Sequence, residues 1–190
     1  MLNWAKKYWI ELIVFGAISG VLFVCQSPDI TWINTDSDGV HYIYSAKYMY
    51  PAHKSSAPLY LLISNLFLRL PFGTEAWRMA LISVMSGIAS SVLIYLIVRH
   101  FTNKNWMSRW FGIAGAMIYG SSALAISQNT IVETYPLVVA SGLGVYYFAL
   151  KKRWKLSALM IGISGAIHPL SLLTSVPILI VNKELRYWKQ

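Results

Sequence analysis

Seven side chains in this chain of 190 residues are carboxylates, and their spacing shows where acid–base chemistry could sit. Asp36 and Asp38 lie two residues apart in Asn34-Thr35-Asp36-Ser37-Asp38-Gly39, and Glu133 stands before Thr134 and Tyr135. Carboxylates of this kind suit a general base, a ligand to a divalent cation, or both. The same Asp-Ser-Asp-Gly composition also suits a solvated turn that caps a helix, and both readings stand. The four histidines are dispersed without zinc-ligand spacing, and the single cysteine, Cys25, excludes an internal disulfide and a cysteine metal cluster.

The elements that must position these groups follow from composition. Hydrophobic residues make up 56% of the chain and charged residues 12%, against about 25% charged in a typical soluble domain. A globule of this length cannot hide so much apolar surface from water. A content of 14% aromatic residues excludes a disordered chain. The expected class is therefore an all-α, polytopic helical membrane protein forming one transmembrane domain over residues 1–190. Apolar runs appear at residues 9–26, 76–98, 110–127, 135–150 and 156–181, each near the length needed to cross a bilayer. The last is interrupted by His168-Pro169 and by Pro177, and proline breaks or kinks a helix.

The net charge of +9 is then a topology signal and implies no nucleic-acid partner. With the N-terminus inside, Lys6, Lys7, Arg99, Lys104, Arg109, Lys151, Lys152, Arg153 and Lys155 fall on the cytoplasmic side. If residues 156–181 form a hairpin, Lys183, Arg186 and Lys189 join them, so twelve of the sixteen basic residues lie inside. About six membrane segments with both termini in the cytoplasm are expected. No organelle signal is visible, which points to a prokaryotic plasma membrane. Small residues recur at spacing four, Ser83-Gly87-Ser91 and Gly112-Ala116-Gly120, as helix-packing faces without chemistry of their own.

Between the first two spans lies a long outer loop, residues 27–75, rich in tyrosine (Tyr42, Tyr44, Tyr48, Tyr50) of the kind found at membrane interfaces. The apolar stretch 57–70 is about 21 Å of helix, too short to cross, and is expected to lie in the interface or re-enter. Leu70-Pro71-Phe72-Gly73 closes it with a turn. Asp29, Asp36, Asp38, Glu75 and Glu133 all fall on the outer side, and helices packed side by side would bring the Asp38 and Glu133 loops together.

The run Asp38-Gly39-Val40-His41-Tyr42, followed by His53, Pro58-Leu59-Tyr60, Leu70-Pro71-Phe72-Gly73 and Trp77-Arg78, resembles the N-terminal module of GT-C superfamily glycosyltransferases. The nearest likeness is to a membrane family similar to protein O-mannosyltransferases. Glu133-Thr134-Tyr135 resembles that family's Glu-x-Tyr element, and residues 162–173 with His168 resemble its Gly-rich helix. The sequence departs from the pattern at His41, where the family usually carries a second acid, and family members are much longer.

The resemblance implies transfer of a sugar from a polyprenyl-phosphate carrier, within the membrane lipid, to an acceptor hydroxyl on the outer face, with inversion. It makes Asp38 the base, with Asp36 as alternate, and Glu133 a second acid binding the acceptor or a divalent cation such as Mg or Mn. Arg78 and His168 would contact phosphate. The bland readings are that Arg78 is an interfacial anchor and His168 satisfies carbonyls freed at the break. His53 suits the interface, and His41 could partner Asp38 across one helical turn. A competing expectation is an inactive, shortened relative that scaffolds a complex with other membrane subunits. A channel or transporter ranks last, because the carboxylates collect at one surface.

Overall fold

The computed structural model describes residues 2–30, 38–52, 57–102 and 106–175. Asp36, His53, Lys104, the run 176–181 and the basic residues beyond it lie outside the described residues. Every regular element among the described residues is helical: α1 (Leu2–Cys25), α2 (Asp38–Tyr48), α3 (Pro58–Leu68), α4 (Glu75–Phe101), α5 (Trp106–Gly120), α6 (Ala123–Asn129), α7 (Tyr135–Leu150) and α8 (Trp154–Ile167), then a 3-10 segment, Pro169–Ser175. The protein is a helical membrane protein in its construction. Tyr8–Cys25 and Glu75–Phe101 are long and apolar enough to cross a bilayer, with mean hydropathies of 2.0 and 2.3.

One expected span is not straight. Residues 110–127 are divided between α5 and α6, which meet at 65° and together pass as a third span. Two serines explain the break. Ser121 Oγ donates back to the Met117 carbonyl at 2.7 Å, ending α5, and Ser122 Oγ accepts from the Ala125 amide at 3.1 Å, starting α6. Side chains that satisfy helix ends locally make such a break affordable inside lipid. The last apolar stretch breaks where its proline requires, with α8 ending at Ile167 and His168 extended as its cap. α7 and α8 have 16 and 14 residues, about 24 and 21 Å of helix. They pack antiparallel, with Ser141 Oγ donating to Ser164 Oγ at 3.0 Å and Ser157 Oγ to the Val145 carbonyl at 3.0 Å.

α4 is the centre of the bundle, touching α1, α2, α3, α5, α6 and α7. Its small residues serve different neighbours. A Cβ on Gly87 would lie 2.5 Å from Cγ of the buried Asn129, which follows the α5–α6 bend. On α5, a Cβ on Gly112 would lie 2.7 Å from the Tyr95 ring and 3.0 Å from the Tyr95 carbonyl oxygen, and one on Gly120 would meet Ile18 of α1. Because one of the Gly112 contacts is backbone, Gly112→Ala must push α4 and α5 apart. A loss of about 1–3 kcal/mol is expected, of the size seen for overpacking, read as a lowered unfolding midpoint in lipid nanodiscs. An unchanged midpoint would show that the two helices are not held this closely.

α2 and α3 lie across one end of the bundle, where α4 and α7 start and α1 and α8 finish. α3 begins with Pro58 at its first turn, where the missing N–H costs nothing. It buries Tyr60, Leu61 and Ser64 and leaves Leu62 and Leu66 exposed. The turn between α3 and α4 needs Gly73 at φ 72°, a conformation that glycine adopts without steric cost. Arg99, Arg109, Lys151, Lys152 and Arg153 lie at the opposite end.

Two of those distant groups, Arg99 and Arg109, join a network the sequence reading did not find. Glu11 of α1 is buried and accepts from Tyr95 Oη of α4 at 2.7 Å and from Arg109 Nε and Nη2 of α5 at 2.8 and 2.5 Å. Arg99 Nη1 donates to the same Tyr95 oxygen at 2.9 Å. A bidentate carboxylate–guanidinium pair thus staples three helices.

Candidate active site

α2 starts at Asp38, so the carboxylate sits in the first helical turn, where the helix dipole favours negative charge. The base reading and the cap reading of Asp38 therefore describe the same place. The start of this helix lies against the segment before α7, with the Cβ position of Gly39 at ordinary contact distance, 3.7 Å, from the Val132 carbonyl oxygen. The Asp38 and Glu133 loops come together in this way, and Tyr42, one turn further along α2, lies between them.

Tyr42 is buried, and its ring packs edge-on against that of fully buried Tyr60, with centroids 5.2 Å apart. Burial pushes the Tyr42 phenol above its usual range. The Glu133 and Asp38 carboxylates push it the same way, against a hydrogen bond with the Thr134 side chain. The phenol is therefore a neutral hydrogen-bonding group well past neutral pH. Tyr60 is raised by burial first and by Glu133 second, and its Oη makes no hydrogen bond of acceptable geometry.

Glu133 is 8% exposed. Its Oε2 accepts from the Thr134 amide at 2.8 Å, and its carbonyl accepts from Ser83 Oγ of α4 at 3.2 Å. The acid is thus held by its own backbone and by the central helix. Pro136 follows within the first turn of α7. His168, capping α8, is half-buried with its ring centroid 6.2 Å from that of Tyr135. His41 is exposed on α2, three residues after Asp38.

Asp38, His41, Glu133 and His168 therefore gather at one end of the bundle. Arg78 is committed elsewhere in part. Its Nη1 donates to the Leu68 and Leu70 carbonyls at 2.6 and 2.7 Å and its Nε to the Thr74 carbonyl at 3.2 Å, locking the turn from α3 to α4. Asp36 and His53 are outside the described residues. Among the described residues no three His, Cys, Asp or Glu side chains group to hold a metal ion. Tyr42, Tyr60 and Thr134 are the members that sequence reasoning missed as site residues, although Tyr42 at four residues beyond Asp38 shares its helical face.

Fold and site together define a helical membrane protein with two carboxylates from separate loops facing a buried tyrosine at one end. Residues 38–190 match the family described as the protein O-mannosyl-transferase TMEM260 N-terminal domain. The chain belongs to that family, in keeping with the likeness to O-mannosyltransferases read from its motifs. No curated protein and no solved structure matches the chain. The match begins at Asp38, the first residue of α2.

Proposed function

We propose that this chain is the catalytic N-terminal module of a membrane O-mannosyltransferase, taking mannose from a polyprenyl-phosphate carrier and placing it on a hydroxyl of an acceptor protein. The observation that supports this reading most is the convergence of Asp38 and Glu133 on Tyr42 at the end of the bundle away from Arg99, Arg109 and Lys151–Arg153. That basic end suits the cytoplasm of a multi-pass plasma-membrane protein with both termini inside, which puts the carboxylates on the outer face.

In the proposed mechanism Asp38 accepts the proton of the acceptor hydroxyl as its oxygen attacks the anomeric carbon. The bond from that carbon to the carrier phosphate breaks on the opposite face, so the centre inverts and polyprenyl phosphate departs with the bonding electrons. Glu133, fixed by the Thr134 amide, orients the acceptor, and Tyr42 holds the two acids in register. His168 and the remaining Nη2 donor of Arg78 are the groups offered to the phosphate, whose developing charge needs donors. His41 partners Asp38, while Asp36 is the alternate base and His53 an interfacial contact.

The test is transfer of mannose from a polyprenyl-phosphate donor to a Ser/Thr peptide by the whole chain in liposomes. Glu133→Gln keeps the shape and one acceptor oxygen, and should lower kcat/KM by about 10–100-fold, or roughly 1.4–2.7 kcal/mol of transition-state stabilisation. Wild-type transfer unaffected by Glu133→Gln would remove Glu133 from the site. Absence of transfer by the wild type would favour the scaffold reading.

A further inference from the structure

The face of α2 turned away from Asp38 and Tyr42 borders an open groove of about 440 Å³. Asp29 after α1, Ile43, Tyr44, Lys47 and Tyr48 of α2, and Glu75 at the start of α4 line it. Tyr44 and Tyr48 stand side by side with ring centroids 4.7 Å apart and are 58% and 62% exposed. Their rings form a platform that no described part of the chain covers. With Lys47 and Glu75 paired, Asp29 leaves the groove a net negative charge. Lys47 Nζ is held by Glu75 Oε1 at 2.7 Å, and that contact raises its pKa and keeps it cationic but engaged. The Asp29 carboxylate accepts from the Ile30 amide at 2.8 Å, and its carbonyl accepts from Ser27 Oγ.

A phosphate-bearing carrier would need a cation that is not already paired, so this groove does not suit the donor. Exposed phenol rings beside the Asp29 carboxylate instead suit a neutral or basic polypeptide, whose amides and side chains stack on tyrosine and whose cations meet Asp29. We propose that the groove is the docking site for the acceptor polypeptide, which rests on the transferase reading above. Tyr44 lies six residues beyond Asp38, a rise of about 9 Å along the helix. An extended chain that covers this rise and crosses the helix, about 10 Å wide, needs roughly four to six residues. Side chains four to six positions from the modified hydroxyl are therefore the ones that the groove reads.

The test is fluorescence anisotropy of a labelled Ala/Thr peptide carrying lysines five residues from a central threonine, added without donor to the whole chain in nanodiscs. Binding is expected both to the wild type and to Asp38→Asn. It should weaken about tenfold in the double variant Tyr44→Ala/Tyr48→Ala, through loss of two exposed ring contacts. It should also weaken when the peptide's lysines are replaced by glutamate. Both tyrosines are exposed, so the double variant should keep its unfolding midpoint, which checks that the fold persists. Equal binding by the wild type and the double variant, or no binding to the wild type, overturns the docking site. Groove-dependent binding by a wild type that transfers no mannose upholds the docking site and counts against the transferase reading.

Discussion

Asp38→Asn should abolish mannose transfer, with kcat falling by about 10²–10⁴-fold, the usual contribution of a positioned general base. The amide keeps the size and the first-turn position of the carboxylate, so the change falls on proton acceptance. The helix loses only the favourable dipole contact of a charge at its start, about 0.3–1 kcal/mol, so the protein should remain folded. Glu133 accepts from the Thr134 amide, and the Tyr42 phenol, raised by burial and by both carboxylates, is a neutral donor and no base at neutral pH. An Asp38→Asn variant that transfers mannose at the wild-type rate would sink the assignment and turn attention to Asp36. A variant that is inactive but unfolded would say nothing about catalysis, so the melt must accompany the assay.

The second large effect is on stability. Glu11→Ala should cost about 3–5 kcal/mol, because it strands the Arg109 guanidinium without its carboxylate in a partly buried site. Tyr95 also loses the acceptor for its hydroxyl, and α1, α4 and α5 lose their common link. Such a loss would show as a sharply lower unfolding midpoint in nanodiscs. Removing both partners together, as Glu11→Leu with Arg109→Leu, should recover much of the loss, since the penalty comes from the unpaired charge. If Glu11→Ala melts like the wild type, the pair is only a surface contact.

The contrast between these two sites shows what could be read from residue types in order. Asp38 and Glu133 could be placed together because span lengths and basic residues set which loops share a side, and antiparallel packing does the rest. The helix breaks at Pro169 and Gly73 were legible because proline and glycine act locally. Glu11 and Arg109 are 98 residues apart, and no local pattern announces their meeting. The signal was only that an acid inside an apolar run needs a partner. Tyrosines were legible as a group but not one by one. Tyr44, Tyr48 and Tyr50 are exposed, as an interfacial belt requires, whereas Tyr42 is buried because it alone among them shares the Asp38 face of α2. The α5–α6 bend escaped notice because Ser121 and Ser122 look harmless inside an apolar run, and only their hydrogen bonds to the backbone reveal them as terminators.

The Glu11 staple also redraws the boundary of the working unit. Family membership is carried from Asp38 onward, yet α1, which precedes it, brings the carboxylate that neutralises Arg109. α1 further pins the opposite end, where Gln26 Nε2 donates to the Trp77 carbonyl at 2.6 Å and the Ser27 amide donates to the Thr130 carbonyl at 2.8 Å. A fragment trimmed to residues 38–190 would leave Arg109 without that carboxylate and Tyr95 without its acceptor, so the helix ahead of the matched region belongs to the same folded unit.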